Sequence, residues 1–429
     1  MQLQLYDLIL GGIILNRQQL IAFLKDNTFE TIGCTDPISI TLATAWAAKN
    51  ISGELKSISL SLSPNIIKNA YSVKIPGVFK AGIELASAIG YVISDPSQGL
   101  KIIEGISPEV LVKSEEISGK GIISYSSADT DESVYIEAEV KTNLGTSTAV
   151  IKGKHDKLVS LKVNGECRFS LDGNTAATYD IASLLTDFIG FDQIIDIVKE
   201  IHSEELEFLY EGIEKNLNAA RYYYDCINSE IAYEPMDDII LEIRRSTSYA
   251  SLARMSGATI PIIGCFGSGN HGITLFIAVG LLGKKLNKSR EEILRALAIG
   301  ELLTGYIKSR TGILTPHCGC SLAASVGAAA GCAYLLGGGG RQIENAVNIV
   351  ISTLFGTICD GAKEACSLKI TNAAGVAVES AYASVRQRIE LENQGVIGAT
   401  FSDTLRNIKL LTERGFHGLD NQLIQIFKM

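Results

Sequence analysis

The chain is expected to be an α+β protein, with a mixed or antiparallel sheet packed by helices in its N-terminal half and an all-helical C-terminal half. Three changes of texture predict this. Helical spacing of apolar residues runs from about 17 to 50, two-residue alternation from about 55 to 167, and helical patterns follow one another beyond about 174. The corresponding division is a helical N-terminal segment over 1–50, an α+β domain over 51–172 and a helical domain over 173–429. With 429 residues, 46% hydrophobic and 20% charged, the chain can bury a sizeable interior. A net charge of −9, with the acidic residues spread out, gives no basic footprint for nucleic acid and directs attention to small-molecule partners.

The opening MQLQLYDLILGGIIL lacks a basic leader and a small-residue cleavage site, and Asp7 interrupts its apolar run, so it does not read as an export signal. Nine cysteines, mostly in apolar or glycine-rich contexts, fit a reducing compartment, the cytoplasm. NRQQLIAFLKDN reads as a helix, TIGCTDP as a break and ISITLATAWAAKN as a second, alanine-rich helix. Asp36 followed by Pro37 reads as an N-cap with proline at the first helical position. That puts Cys34 in a short loop before a helix N-terminus, where the dipole and free amides favour a thiolate.

LKSISLSLS, SVYIEAEVKT, TSTAVIKGK and LVSLKVNGE alternate as half-buried strands do, with helices at AGIELASAIGYVI and near SPEVLVKSEEI. Further helices are expected at AATYDIASLLTDFIG, from DQIIDIVKE to YYYDCI, and at REEILRALAIGELLTGYIKSR, RQIENAVNIVISTLF and AAGVAVESAYASVRQRI. They carry apolar residues on more than one face, and their alanine and glycine surfaces suit a homo-oligomer. Two apolar stretches, 260–282 and 322–336, raise the question of a membrane. The first is broken by GSGNHG, the second is short, and neither supplies about twenty consecutive apolar residues. Buried core helices are expected there, and no membrane association.

GSGNHG formally satisfies a dinucleotide-binding pattern, but no second strand follows to complete a βαβ unit. Ser268, Asn270 and His271 are better read as an anion cradle at a helix start, suited to a carboxylate. Cys318, Cys320, Cys359 and Cys366 cluster in HCGCSLAASVGAAAG and GTICDGAKEAC, at spacings of neither a paired structural zinc site nor a small ferredoxin. On an unbroken helix, Cys359 and Cys366 would lie about 10 Å apart along the axis. Thiolates sharing an iron–sulfur cube lie about 6 Å apart. The backbone must therefore leave the helix between them, which Asp360 and Gly361 permit, with Cys366 near the start of the next helix. His317 is a possible further ligand or a neighbour of one. Cys167, Cys226, Cys265 and Cys332 read as small buried hydrophobes, and His155, His202 and His417 as surface residues.

Taken in order, ETIGCTDPISITLA, SPNIIKNAYSVKIPGVFKAG, GSGNHGI, CGCSLAASVGAAAGCAYLLGGG and GTICDGAKEACSLK span about 30 to 380. Together they resemble the iron–sulfur L-cysteine desulfidase family, which is similar to the alpha subunit of oxygen-sensitive L-serine dehydratases. The resemblance implies a [4Fe-4S] cluster on Cys318, Cys359 and Cys366, with Cys320 the alternative to Cys318, and a fourth iron left open as a Lewis acid. It implies β-elimination of L-cysteine to pyruvate, ammonia and sulfide. L-Serine deamination at the same site, or a non-catalytic redox or metal-binding role, are the rival readings. Cys34 is placed at the active site as the base. His271 is the second candidate, or a donor to the substrate carboxylate alongside Ser268 and Asn270. Ser63, Asn65, Lys68 and Asn69 are expected in a polar loop near substrate. Ile32, Ala70 and Tyr71 depart from the family pattern and bear on the size of substrate accepted.

Overall fold

The computed structural model describes residues 9–10, 13–14, 17–171, 188–227, 234–387 and 389–427. Most of AATYDIASLLTDFIG, and with it the expected domain boundary near 172, lies outside the described residues. Short pairing strands β1 (Ile9–Leu10) and β2 (Ile13–Ile14) precede α1 (Arg17–Asn27), β3 (Thr28–Ile32) and α2 (Thr35–Lys49). The α+β region follows as β4 (Leu55–Leu62), α3 (Pro64–Ala70), α4 (Ile83–Ile93), α5 (Pro108–Ser118), β5 (Ile123–Ser127), β6 (Tyr135–Thr142), β7 (Gly145–Lys152), β8 (Leu158–Val163) and β9 (Glu166–Ser170). The helical half comprises α6 (Phe191–Glu200), α7 (Glu207–Ile227), α8 (Ile239–Met255), strand β10 (Pro261–Cys265), α9 (Gly269–Lys285), α10 (Arg290–Thr311) and α11 (Ser325–Leu335). It ends with α12 (Gly340–Leu354), α13 (Cys366–Gln387), α14 (Phe401–Leu410) and α15 (Leu419–Phe427).

The α+β expectation holds. Six strands form one mixed sheet in the order β5-β4-β6-β7-β8-β9, parallel at β4–β5 and antiparallel elsewhere. Alternation sends Ile58, Leu60 and Leu62 of β4, with Ile136, Ala138 and Val140 of β6, into a core shared with α2 and α4. The second, larger core is helical and includes faces of α9, α10, α11, α12 and α13. Both apolar stretches that raised the membrane question are buried here, and among the described residues no helix is long and apolar enough to cross a membrane.

The first fifty residues are shared between these cores. Leu20, Phe23 and Leu24 of α1 join the helical core, whereas α2 joins the sheet core. The crossing occurs at Gly33, whose φ of +64° suits glycine and where a Cβ would stand 1.9 Å from Pro76 Cγ. A two-stranded antiparallel ribbon of β3 and β10 sits beside it. Neither strand was expected, because five residues between helical patterns are too few to show a period. The final helix α15 also crosses back, placing Ile424 in the sheet core and stacking Phe427 on Tyr71.

Thr28, at the junction of α1 and β3, lies within 2.9 and 3.0 Å of the two carboxyl oxygens of Glu301, a fully buried residue of α10. Its hydroxyl also lies 2.8 Å from Leu24 O. One hydroxyl proton cannot serve both, and burial pushes the Glu301 carboxyl up to about 8, so a protonated Glu301 donates to Thr28 while Thr28 donates to Leu24 O. Because the folded state holds this proton more tightly than the unfolded chain, its contribution is complete below the ordinary value of 4.5 and is lost as pH rises through 8. Glu301→Gln keeps a donor and removes the titration. The stability of this variant relative to the wild-type protein should rise by up to ~4 kcal/mol between pH 5 and pH 8 and then level off. Urea denaturation across that range measures it, and a pH-independent difference would rule out the buried carboxylic acid.

Candidate functional site

Both cores contribute walls to one cavity. Cys318, Cys320, Cys359 and Cys366 line it together with Cys34, Asn69, Ser268, Asn270 and His271. The cysteine wall is built from two loops. Cys318 N–H donates to Thr357 O at 2.7 Å and Cys359 N–H donates to Pro316 O at 2.8 Å, forming an antiparallel bridge centred on His317 and Ile358. Beyond Cys318 the chain makes a π-helical turn, Cys320–Ala324, before α11. α12 ends at Leu354, so the chain is already out of the helix at Cys359 and stays non-helical until Cys366, which meets what the spacing required. Gly361 has a φ of +90° and presses so close to Lys68 O that a Cβ would stand 2.3 Å from it, while Cys366 begins α13.

The electrostatics around these thiols are cationic. Lys308 of α10 is buried and donates to Ile313 O at 2.7 Å. Burial lowers it to about 8, against the pull of Cys320, Cys359, Cys318 and Cys265. Asp360 pairs with Lys363 and Lys369. Burial works to raise its carboxyl, yet the hydrogen bonds from those two lysines hold it at about 2. A hydrogen bond from Cys320 brings Cys318 down to about 6, and the same bond, with burial, raises Cys320. Burial raises Cys359 and takes Cys366 to about 11. Among the described residues no three His, Cys, Asp or Glu side chains converge as a single metal ion needs. Four thiols around one cavity with buried lysines behind them fit a larger anionic group with soft-ligand metals, as in an iron–sulfur cluster.

The facing wall comes from the ribbon. Cys34, rather than Asp36, is the N-cap of α2, because the helix already begins at Thr35. Its thiol donates to Asp36 Oδ2 at 3.2 Å, and Asp36 Oδ1 lies 3.3 Å from His155 Nε2. This corrects the expectation of a thiolate: burial and the neighbouring Asp36 push Cys34 well up, outweighing Arg254. Burial works to raise Asp36 as well, but hydrogen bonds led by that of His155, with Asn69 contributing, keep it low. His155 is therefore no surface residue; it is buried behind the site. Cys34 packs with Val73 and Met255, against which Ala362 and Cys366 lie.

On the third side, β10 leads through Gly267 to Ser268, the N-cap of α9. His271 Nδ1 lies 3.2 Å from Cys265 O, an acceptor, so this nitrogen carries the proton. Burial and Lys308 lower His271 to about 3, leaving a neutral ring with its Nε2 lone pair toward Gly319. Ser268 Oγ lies 3.9 Å from Cys320 Sγ.

The segment carrying Ser63, Asn65, Lys68 and Asn69 is the helix α3 rather than a polar loop, with Pro64 setting its first turn. Only Asn69 of the four lines the cavity. Ser63 Oγ bonds Ser133 O and the Tyr135 amide, and Asn65 lies off the cavity with its Oδ1 unpartnered. Lys68 Nζ is tied to Asp420 Oδ1 at 2.5 Å and Thr315 O at 3.3 Å, backing the cysteine loops. Ile32, Ala70 and Tyr71 do not line the cavity either. His317 is buried with its Nε2 on Thr412. Cys265 and Cys332 are buried as expected, but Cys167, on the outermost strand β9, and Cys226, at the end of α7, are exposed. Lys308 and Arg254 were missed: both lie in the last turn of a helix, where basic residues are ordinary.

Residues 97–425 match the family described as serine dehydratase alpha chain. The chain belongs to the serine dehydratase alpha-chain family. Its similarity to curated relatives extends over nearly the full length. The UPF0597 protein of Clostridium botulinum is 31% identical over 419 residues, covering 95% of this chain and 96% of its own. The UPF0597 proteins of Clostridioides difficile and Kosmotoga olearia are each 33% identical, covering 94% and 96% of this chain and 97% and 99% of their own. Within this family member, Asp36 adds to burial in holding the Cys34 proton. Asp36→Asn removes the charge that raises the thiol and should speed iodoacetamide labelling of Cys34 at pH 8, by about tenfold for each pKa unit recovered. Peptide-resolved mass spectrometry reads the rate, and an unchanged rate would show that Asp36 does not govern it.

Proposed function

We propose that the protein is a β-eliminating lyase that converts L-cysteine to pyruvate, ammonia and sulfide with a [4Fe-4S] cluster held by Cys318, Cys359 and Cys366. The observation that carries this reading is the shared cavity, in which two clamped cysteine loops face Cys34 across a space lined by Asn270 and His271. When bound, the cluster supplies an open Lewis-acidic iron for the departing sulfur.

The chain's own residues handle the proton. Elimination breaks Cα–H and Cβ–S, places the electron pair in a Cα=Cβ bond and releases HS⁻ and 2-aminoacrylate, which tautomerises and hydrolyses to pyruvate and ammonia. Cys34 is the base; in the resting site it holds its proton in a hydrogen bond to Asp36 3.2 Å away, so it acts only after that proton has left, and the nearby Arg254 charge is the influence that favours its thiolate. Neutral His271 offers Nε2 as an acceptor to the substrate's ammonium or thiol, since donation from that ring is already committed to Cys265 O. Ser268 and Asn270 complete a polar edge at the start of α9. L-Serine is the second substrate, with the same bonds broken and hydroxide leaving.

Anaerobic reconstitution followed by sulfide and pyruvate assays tests the reading, and no product from L-cysteine or L-serine would sink it. Cys34→Ala should keep the cluster absorption and lower kcat by roughly 10²–10⁴-fold. Alanine at Cys318, Cys359 or Cys366 should each abolish iron retention, whereas Cys320→Ala should retain it. Zinc bound without acid-labile sulfide would point instead to a structural metal site.

A further inference from the structure

Arg254 carries a charge that the described structure leaves unanswered. It closes α8 with 4% of its surface exposed and lines the cavity beside Cys34 and Asn270. Its Nε is buried without a hydrogen-bond partner, and its Nη1 reaches only the weak acceptor Met255 Sδ, at 3.9 Å. Among the described residues no carboxylate pairs with it. A guanidinium cannot shed its proton, so burial without a counter-charge carries a substantial desolvation cost.

The surroundings are shaped around this group. Gly269 opens α9 at a point where a Cβ would stand 2.3 Å from Arg254 Nε, so any larger residue would displace the guanidinium. Asn270 is held only loosely, by Ser251 Oγ at 3.5 Å and Met255 Sδ at 4.0 Å, which leaves its amide able to donate elsewhere. Asp36, the one carboxylate lining the cavity among the described residues, is already engaged by Cys34 and His155. A cation with a loosely bound amide beside it, at the start of a seventeen-residue helix, is a complete anion site.

We propose that Arg254, with the Asn270 amide, binds the α-carboxylate of the substrate and so restricts the site to small monocarboxylates such as α-amino acids. The identification of that carboxylate as part of L-cysteine rests on the lyase reading, but the binding of a small monocarboxylate does not. With its carboxylate on Arg254, a three-carbon amino acid presents Cα toward Cys34, whose thiol senses the Arg254 charge, and the β-sulfur toward the cysteine loops.

The test uses the anaerobic holoenzyme with pyruvate and cysteamine as calorimetric probes, cysteamine having the amine and thiol of L-cysteine but no carboxylate. Arg254→Gln should weaken pyruvate binding by ~100-fold, the scale of a lost charge-assisted pair, raise KM for L-cysteine and leave cysteamine binding and iron content unchanged, with a melting temperature no lower than that of the wild type because an unpaired buried charge is removed. Arg254→Lys, which keeps charge and folding, should lose about tenfold for pyruvate, the bidentate part of the contact. Equal pyruvate affinity in wild type and either folded variant overturns the proposal, as does absence of pyruvate binding by wild type or an equal loss for cysteamine. Failure of the wild-type enzyme to release sulfide or pyruvate from amino acids would sink the lyase reading alone, since calorimetry still reads Arg254.

Discussion

Two backbone hydrogen bonds, Cys318 to Thr357 and Cys359 to Pro316, hold the candidate cysteine ligands in one place. Backbone amides and carbonyls must be paired when buried, and here the pairing joins loops roughly forty residues apart in sequence. The clamp lets short loops rather than a regular helix present thiols from both sides. Gly361 against the Lys68 carbonyl then brings Cys366 around the same cavity.

The opposite wall depends on the meeting of the two cores. The chain passes from the helical core to the sheet core at Gly33, and the next residue is Cys34. The antiparallel register sets Ile32 opposite Pro261 and Thr28 opposite Cys265, so Cys34 leaves one end of the ribbon and Ser268 the other; the first turn of α9 folds back over Ile263 and Gly264, and so Ser268 and His271 line the same cavity as Cys34. Because α2 is buried almost all round, the polar groups of its first turn have to satisfy one another. The Cys34–Asp36–His155 chain is the outcome, and it reverses what a helix N-terminus alone does to a thiol. Desolvation and an adjacent carboxylate outweigh the dipole.

Charge is distributed unevenly around the cavity. Lys308, Lys68 and Lys369 stand behind the cysteine loops, where they suit thiolates and an anionic cluster. Lys68 and Lys369 have their own acidic partners, Asp420 and Asp360. Lys308 has no acidic partner among the described residues but sits among the thiols of Cys320, Cys359 and Cys318, whereas Arg254 lines the cavity with neither.

The amino-acid order by itself determined the α+β class, the alternating strands, the helix break between Cys359 and Cys366, and the candidate cysteines. Each of these is local: a period, a spacing or a glycine is legible wherever it stands. Tertiary structure alone decided that α3 is a helix with only Asn69 at the cavity, that His155 supports Asp36, and that Lys308 and Arg254 belong to the site. Their significance lies in what surrounds them after folding, since burial and the presence or absence of a counter-charge arise from segments far apart in the chain. The state of the Cys34 thiol is the plainest case, because the loop and helix start were visible in sequence while the desolvation that raises it exists only once the two cores close over it.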